Sequence, residues 1–333
     1  MRMLKILFAA AAATAFFTTS GATEPVKIRL SWVAPLSTVG SIWLEKKDLA
    51  RHFGKSYVVE TVRYTGTPTM ITALANNELE VSDLAYSTLP IAILNAGIDD
   101  LVVISDEFQD GVSGYYSNEF LVLADGPIKS VADLKSKVVA TNAAGSAVDI
   151  ASRYMLKKAG LEDKRDYTTV EAPLATMKAM LMEKKADLIP AVLPFALDPE
   201  LRKVSRILFT GRDAVGITQF STLNARRSFI SKNRAAMVDF MEDTLRIMQW
   251  YLDPANKKEM AEIAARITKQ PAERFSWAFT TQDYHRDPGL RPNLEALQNN
   301  VKVTKELGFV KTELDVKKHV DLTLLEEAAE RLK

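Results

Sequence analysis

From Val26 to about Phe209 the chain alternates short runs of β-branched and aromatic residues with stretches whose apolar positions recur at helical spacing. That alternation predicts a parallel-sheet α/β architecture. The predicted strands are Lys27–Trp32, Tyr57–Tyr64, Val81–Tyr86, Leu101–Ser105, Glu119–Leu123, Lys137–Thr141, Tyr167–Glu171, Asp187–Leu193 and Ser205–Phe209. Several helices between them have readable ends. Thr67-Pro68 reads as an N-cap with Pro at the first helical position, ahead of Met70, Ile71 and Leu74. Ser130 to Asp133 and Ser146 to Asp149 both have the Ser-x-x-acid form of a capping box, and Gly160 is placed to end the helix that Ser146 begins.

After about Ser228 the strand pattern stops and amphipathic helices are predicted over Lys232–Leu252, Asn256–Thr268, Ala272–Phe279, Asn293–Leu307 and Leu322–Arg331. Met237, Phe240, Met241, Met248 and Trp250 fall at core spacing, so this tail is expected to pack on the α/β body. Within the body two units run in parallel. One passes from a strand through Thr65-Gly66-Thr67-Pro68 into a helix and on to Val81–Tyr86; the other passes through Asn142-Ala143-Ala144-Gly145-Ser146 into a helix and on to Asp187–Leu193. Two similar lobes are implied.

The N-terminus reads as an address. Arg2 and Lys5 precede a twelve-residue apolar run, Ile6 to Phe17, and Ser20-Gly21-Ala22 supplies small residues for cleavage, with no acid before Glu24. The run is too short to span a bilayer, so residues 1–22 are expected to be a signal peptide cleaved near Ala22. The mature chain would begin near Thr23 and, having no cysteine there to carry a lipid anchor, would be free in the periplasm. Removal takes away two positive charges and no negative ones from a chain of 43 basic and 42 acidic residues, so the product is close to neutral. No overall field draws it to nucleic acid. The absence of cysteine excludes disulfides, Cys-ligated zinc, iron–sulfur clusters and Cys nucleophiles.

Catalytic strings are missing: there is no phosphate loop, no dinucleotide fingerprint, no His-Glu-x-x-His and no Gly-x-Ser-x-Gly elbow. His52, His285 and His319 are expected to be solvated residues, and the acids Asp99, Asp100, Asp106, Glu107 and Asp110 are expected to form an acidic surface. What remains is the pair of Gly/Ser/Thr loops at strand-to-helix turns, Thr65-Gly66-Thr67 and Asn142 with Gly145-Ser146-Ala147. Each can aim backbone N–H groups at a polar or anionic group. In facing lobes they would grip one small ligand from both sides. Trp32, Tyr64, Tyr86 and Phe195 sit at nearby strand ends, where side chains line the crevice of an open α/β sheet. Core packing is the other role open to each, and Trp32 shares a strand face with Ile28 and Leu30.

The stretches Val26 to Trp32, Tyr64 to Pro68 and Ala73 to Ser82, followed by Ile128-Lys129-Ser130-Val131-Ala132-Asp133-Leu134-Lys135-Ser136-Lys137 and Ala144-Gly145-Ser146-Ala147, resemble the nitrate/sulfonate/taurine class of ABC-transporter substrate-binding proteins. The resemblance implies a two-lobed periplasmic binding protein fold of type II, with residues 23–118 and 218–333 in the first lobe and 119–217 in the second. It implies ligand contacts from Ser31, Trp32, Thr65, Gly66, Thr67, Tyr86, Ser87, Asn142, Gly145, Ser146, Ala147 and Phe195. Many relatives carry Trp-Glu-Pro where this chain reads Val192-Leu193-Pro194-Phe195, so its ligand is expected to differ from a simple alkyl sulfonate. The function implied is a monomeric, non-enzymatic solute receptor without cofactor or metal. It would close like a hinge on a small organic ligand, expected to be an anion with an apolar or aromatic body, and deliver it to an inner-membrane permease with a cytoplasmic ATPase. The alternatives are a periplasmic sensor for a membrane receptor and an enzyme similar to thiamin-pyrimidine synthases, which use a pocket histidine that no predicted cleft loop supplies here.

Overall fold

Ile28 and Leu30 alternate with Lys27 and Arg29, and the computed structural model, which describes residues 24–333, turns the apolar pair inward and the basic pair outward. The predicted signal peptide and the expected mature end at Thr23 lie outside the described residues. The strands are β1 (Val26–Trp32), β2 (Tyr57–Arg63), β3 (Val81–Ala85), β4 (Leu101–Asp110), β5 (Glu119–Leu123), β6 (Val138–Thr141), β7 (Thr168–Glu171), β8 (Ile189–Ala191), β9 (Ser205–Thr210) and β10 (Thr218–Arg226). They form one sheet in the order β2-β1-β3-β10-β4 and two smaller ones, β8-β5-β9 and β6-β7. A bridge between Val139 and Leu188, with the Ala140 N–H donating to Leu188 O at 2.8 Å, joins the smaller pair. The resulting order, β7-β6-β8-β5-β9, repeats that of the first sheet. The parallel seen between two stretches of sequence is thus a shared topology.

Two expectations need correction. β10 was not predicted, and it runs antiparallel to both β3 and β4, as β5 does to β8 and β9, so both sheets are mixed. β10 brings the chain back into the first sheet, and β5 takes it out to the second. β4 also extends five residues past its predicted end and is buried along its whole length, including Asp106, Glu107 and Asp110. These acids are not a surface. Asp99 and Asp100 alone of that group stay at least partly exposed.

The helical tail packs as its spacing predicts. In the helix Arg234–Leu252, Phe240 stacks on the fully buried Trp43, whose indole N–H donates to Thr244 Oγ1 at 3.1 Å. The Tyr57 hydroxyl, edge-on to both rings, donates to Asp243 at 2.7 Å. A break at Asn233 separates this helix from Arg227–Lys232, and the predicted helix over Ala272–Phe279 shortens to the single turn Ala272–Phe275. There Phe279 adopts a left-handed backbone and its N–H turns to Asp283. The histidines are half-buried rather than solvated: His52 lies between Asp239 and Glu242, His285 pairs with β4 at Gln109, and His319 Nδ1 meets Leu101 O.

Candidate functional site

The loops that end β2 and β3 meet the loops that end β6 and β8, and side chains cross the seam in both directions. Asn142 Nδ2 donates to Thr65 O at 3.1 Å, Ser87 Oγ to Gly145 O at 2.8 Å, the Tyr86 hydroxyl to Ala147 O at 3.2 Å and Ser37 Oγ to Leu193 O at 3.0 Å. The Leu193 N–H in turn donates to the Tyr284 hydroxyl, which donates to Asn118. Gly66 lies at the tightest approach, where a Cβ would stand 2.8 Å from Asn142 Nδ2 and 2.9 Å from the Ala143 methyl.

Local sequence positions these groups. Ser146 accepts the Asp149 N–H and caps the helix Ala147–Lys158, which ends before Gly160 in a left-handed conformation, as predicted. Asp149 reaches the Gly145 N–H, one residue earlier than a capping box requires, and holds the loop's left-handed glycine in place. The Ser130 and Asp133 box forms as predicted, on a short 3-10 turn. Thr67 is not the N-cap that was expected. Gly66 takes that place, and Thr67 Oγ1 instead bonds Thr88 Oγ1 at 2.6 Å.

Inside the seam is a cavity of about 60 Å³. Of the twelve positions expected to contact ligand, Thr67, Asn142, Ser146 and Ala147 border it. Ser31, fully buried, instead accepts the Asp83 N–H, and Trp32 is half-exposed with the Arg63 guanidinium over its ring. Thr65, Gly66, Tyr86, Ser87 and Gly145 belong to the seam contacts, and Phe195 packs against the core of the second sheet.

The cavity also has walls that loop grammar did not reveal: Ser37 and Thr38 after β1, Asp83 in β3, Phe108 in β4, Phe220 and Ser221 in β10, and Tyr284 in the tail. Phe108 stacks on Phe220 at 5.0 Å and lies against Tyr284 at 4.5 Å. A signal for Asp83 was present, since it is the lone charged residue in the run Val81 to Tyr86 that was predicted as a strand.

The electrostatics run against the anion that was expected. Among the described residues no Lys, Arg or His borders the cavity, and the one carboxylic acid that does is Asp83, 1% exposed, with Oδ1 accepting the Ser221 hydroxyl. Burial raises the Asp83 carboxyl above its ordinary range, and the Ser221 hydrogen bond opposes that rise. Glu107, also 1% exposed, is the residue left without a cross-strand partner where β4 slips register between Asp106 and Phe108. Such a bulge re-aims a side chain. Glu107 Oε2 accepts the Val39 N–H at 2.9 Å, and burial, with the Asp83 charge second, raises this carboxyl well above its usual value.

The sequence pattern of the NMT1-like family matches residues 21–265. No curated protein matches the chain by sequence. Among solved structures, the alkanesulfonate-binding protein SsuA from Xanthomonas axonopodis pv. citri, bound to MOPS, aligns over 90% of this chain and 99% of its own, with a TM-score of 0.70 and 17% identity. The periplasmic nitrate-binding protein NrtA from Synechocystis PCC 6803 aligns over 93% of this chain and 90% of its own, with a TM-score of 0.71 and 18% identity. The desulfurization enzyme DSZB aligns over 92% of this chain and 100% of its own, with a TM-score of 0.65 and 11% identity. The mixed α/β fold is therefore that of periplasmic sulfonate- and nitrate-binding proteins, a fold that an enzyme also uses.

Proposed function

The chain belongs to the NMT1-like family, in the nitrate/sulfonate/taurine-binding class, and from that premise we propose that it is the exported, monomeric solute-binding component of an ABC importer. A small organic molecule is held in the cavity between the two sheets. The observation that carries this reading is that cavity, lined by loops from both sheets and flanked by side chains that cross between them.

Residues 23–118 with 218–333 form one lobe and residues 119–217 the other. Capture takes place with the lobes apart, and closure adds Asn142, Ser146 and Ala147 to the Thr67 side of the site. The crossing segments carry the hinge. Gly111 and Gly216 both have left-handed backbones, and a Cβ on Gly111 would stand 2.7 Å from Gly216 O. The closed form then docks on the permease, whose ATPase supplies the energy.

The test is a thermal-shift panel on the mature protein in which nitrate, taurine, alkyl and aryl sulfonates, aromatic carboxylates, pyrimidines and small amines are each titrated. A ligand at a hundred times its Kd adds about 2.7 kcal/mol of stability. A response to one chemical class supports the receptor, and silence across the panel refutes it. Closure itself is tested by Gly66→Ala. The Gly66 backbone is extended, with φ −172, so an added methyl brings no backbone strain, and its nearest contacts are Asn142 and Ala143 across the seam. Ligand affinity is expected to fall about tenfold, roughly 1.4 kcal/mol, with the ligand-free unfolding midpoint unchanged. Unaltered affinity in a calorimetric titration would mean that the seam does not close in this way.

A further inference from the structure

A buried carboxylate is costly unless hydrogen bonds or a base compensate it, and several buried acids of this protein have both carboxylate oxygens hydrogen-bonded. Asp106 accepts from Gln219 and from the Asp287 N–H, Asp110 from the N–H and side-chain amide of Asn118, and Asp283 from Arg286. Asp149 is held by Arg153 and the Gly145 N–H. Asp83 and Glu107 differ. Among the described residues Asp83 Oδ2 has no hydrogen-bond partner, and Glu107 Oε1 is buried with none. Arg286, the base whose field reaches Glu107, is already committed to Asp283 and to Ser37 O at 3.0 Å.

Among the described residues no uncommitted base borders these two acids, while Asp83 borders the cavity. The space holds roughly five water-sized groups, and the mutually packed rings of Phe108, Phe220 and Tyr284 give it an aromatic wall. From the other side of the seam come the first-turn N–H groups of Ala147 and Val148, which can take an acceptor at the far end of the same solute.

We propose that the solute presents a compact cationic N–H head, of the amidinium, guanidinium or ammonium kind, to Asp83, with Glu107 as the second acid behind it, and that these two side chains turn plain anions away. The proposal rests on the receptor reading above and narrows it. A solute with its charge reversed would face the Asp83 carboxyl, with Glu107 behind it and no lining base, whereas a cation replaces lost hydration with a carboxylate and an aromatic wall.

Guanidinium, urea and nitrate share one planar shape and differ in charge, and ethylammonium and ethanesulfonate form a second matched pair. Titrated at constant ionic strength and followed by calorimetry, the two cations are expected to bind at least about tenfold tighter than the two anions. Asp83→Asn keeps the acceptor for Ser221 and removes the charge. It is expected to weaken guanidinium about tenfold or more while leaving urea within about twofold, with its own unfolding midpoint no lower than that of the wild type. Glu107→Gln should weaken guanidinium in the same direction by a smaller factor. Nitrate or ethanesulfonate binding as tightly as the cations, with a protonated Asp83 serving as donor, would overturn the head-group assignment and leave the receptor standing. Guanidinium affinity that survives Asp83→Asn in a folded variant would overturn the role of Asp83. Silence from every probe here and in the wider panel would overturn both readings.

Discussion

Replacing Arg286 with methionine is expected to destabilise the protein by about 3–5 kcal/mol, because it strands a buried carboxylate. The Arg286 and Asp283 side chains are 2% and 1% exposed and meet at 2.9 Å. Asp283 also accepts the N–H groups of Phe279 and Tyr284, which fixes it where no water can replace the guanidinium. Arg286 further donates to Ser37 O and lies 4.9 Å from the Phe279 ring centroid, so the same side chain ties the segment after β1 to the tail. Denaturant unfolding of Arg286→Met measures the loss. The double variant Arg286→Met with Asp283→Asn separates charge from packing: if the stranded charge dominates, it should recover more than half of the loss. A double variant as unstable as the single one would assign the cost to lost packing and hydrogen bonds instead. The effect reaches the site as well. Ser37, whose carbonyl Arg286 holds, sends its hydroxyl across the seam to Leu193, so the variant is also expected to bind ligand more weakly.

Features that depend on a few neighbouring residues were legible in the sequence. β5 spans the predicted residues Glu119–Leu123, the Ser130 and Asp133 box forms, and Ser146 and Gly160 bound their helix. For the same reason the four expected positions that border the cavity all come from turns or helix starts, where Thr, Asn and Ser have local work to do. β10 was not legible, because Thr218-Gln219-Phe220-Ser221-Thr222-Leu223-Asn224 carries polar groups on both faces and no alternation marks it as a strand. Two of its polar side chains are satisfied from far along the chain: Gln219 by Asp106 and the Asn293 N–H, and Ser221 by Asp83. The acids of β4 were misplaced on similar grounds. Acidity within a short window suggests solvent, but Asp106 and Asp110 owe their burial to Gln219, Asp287 and Asn118. The wall of the cavity shares this origin, since Asp83, Phe108, Phe220 and Tyr284 meet only once strands and tail have assembled.

Those same acids predict that the ligand-free protein loses stability as the pH rises from about 4.5 to 7.5, by on the order of 5 kcal/mol. Burial lifts Asp106 to about 7 and Asp110 to about 6, and it raises Asp83 and Glu107 as well, with Arg286 the base that acts against the rise at Asp106 and Glu107. Unfolded, these groups titrate near 4. Between the two ranges the native state keeps protons that the unfolded state has released, so the unfolded state gains relative to the native state with each step upward in pH. Below about 4 the sign reverses. Asp133, Asp163, Asp198 and Glu242, held below their ordinary values by hydrogen bonds and by Arg153, Lys178 or Arg246, lose their contribution as they protonate. A maximum near pH 4 to 5 is therefore expected in denaturant midpoints measured across the range, and a flat or rising curve to pH 7.5 would show these carboxyls to be ionised in the native state at little cost. Asp83→Asn should shallow the fall. A cation seated at Asp83 needs the carboxylate form, so the stabilisation produced by guanidinium should grow over the same interval in which the ligand-free protein weakens. Growth that is absent from Asp83→Asn would tie both trends to one side chain.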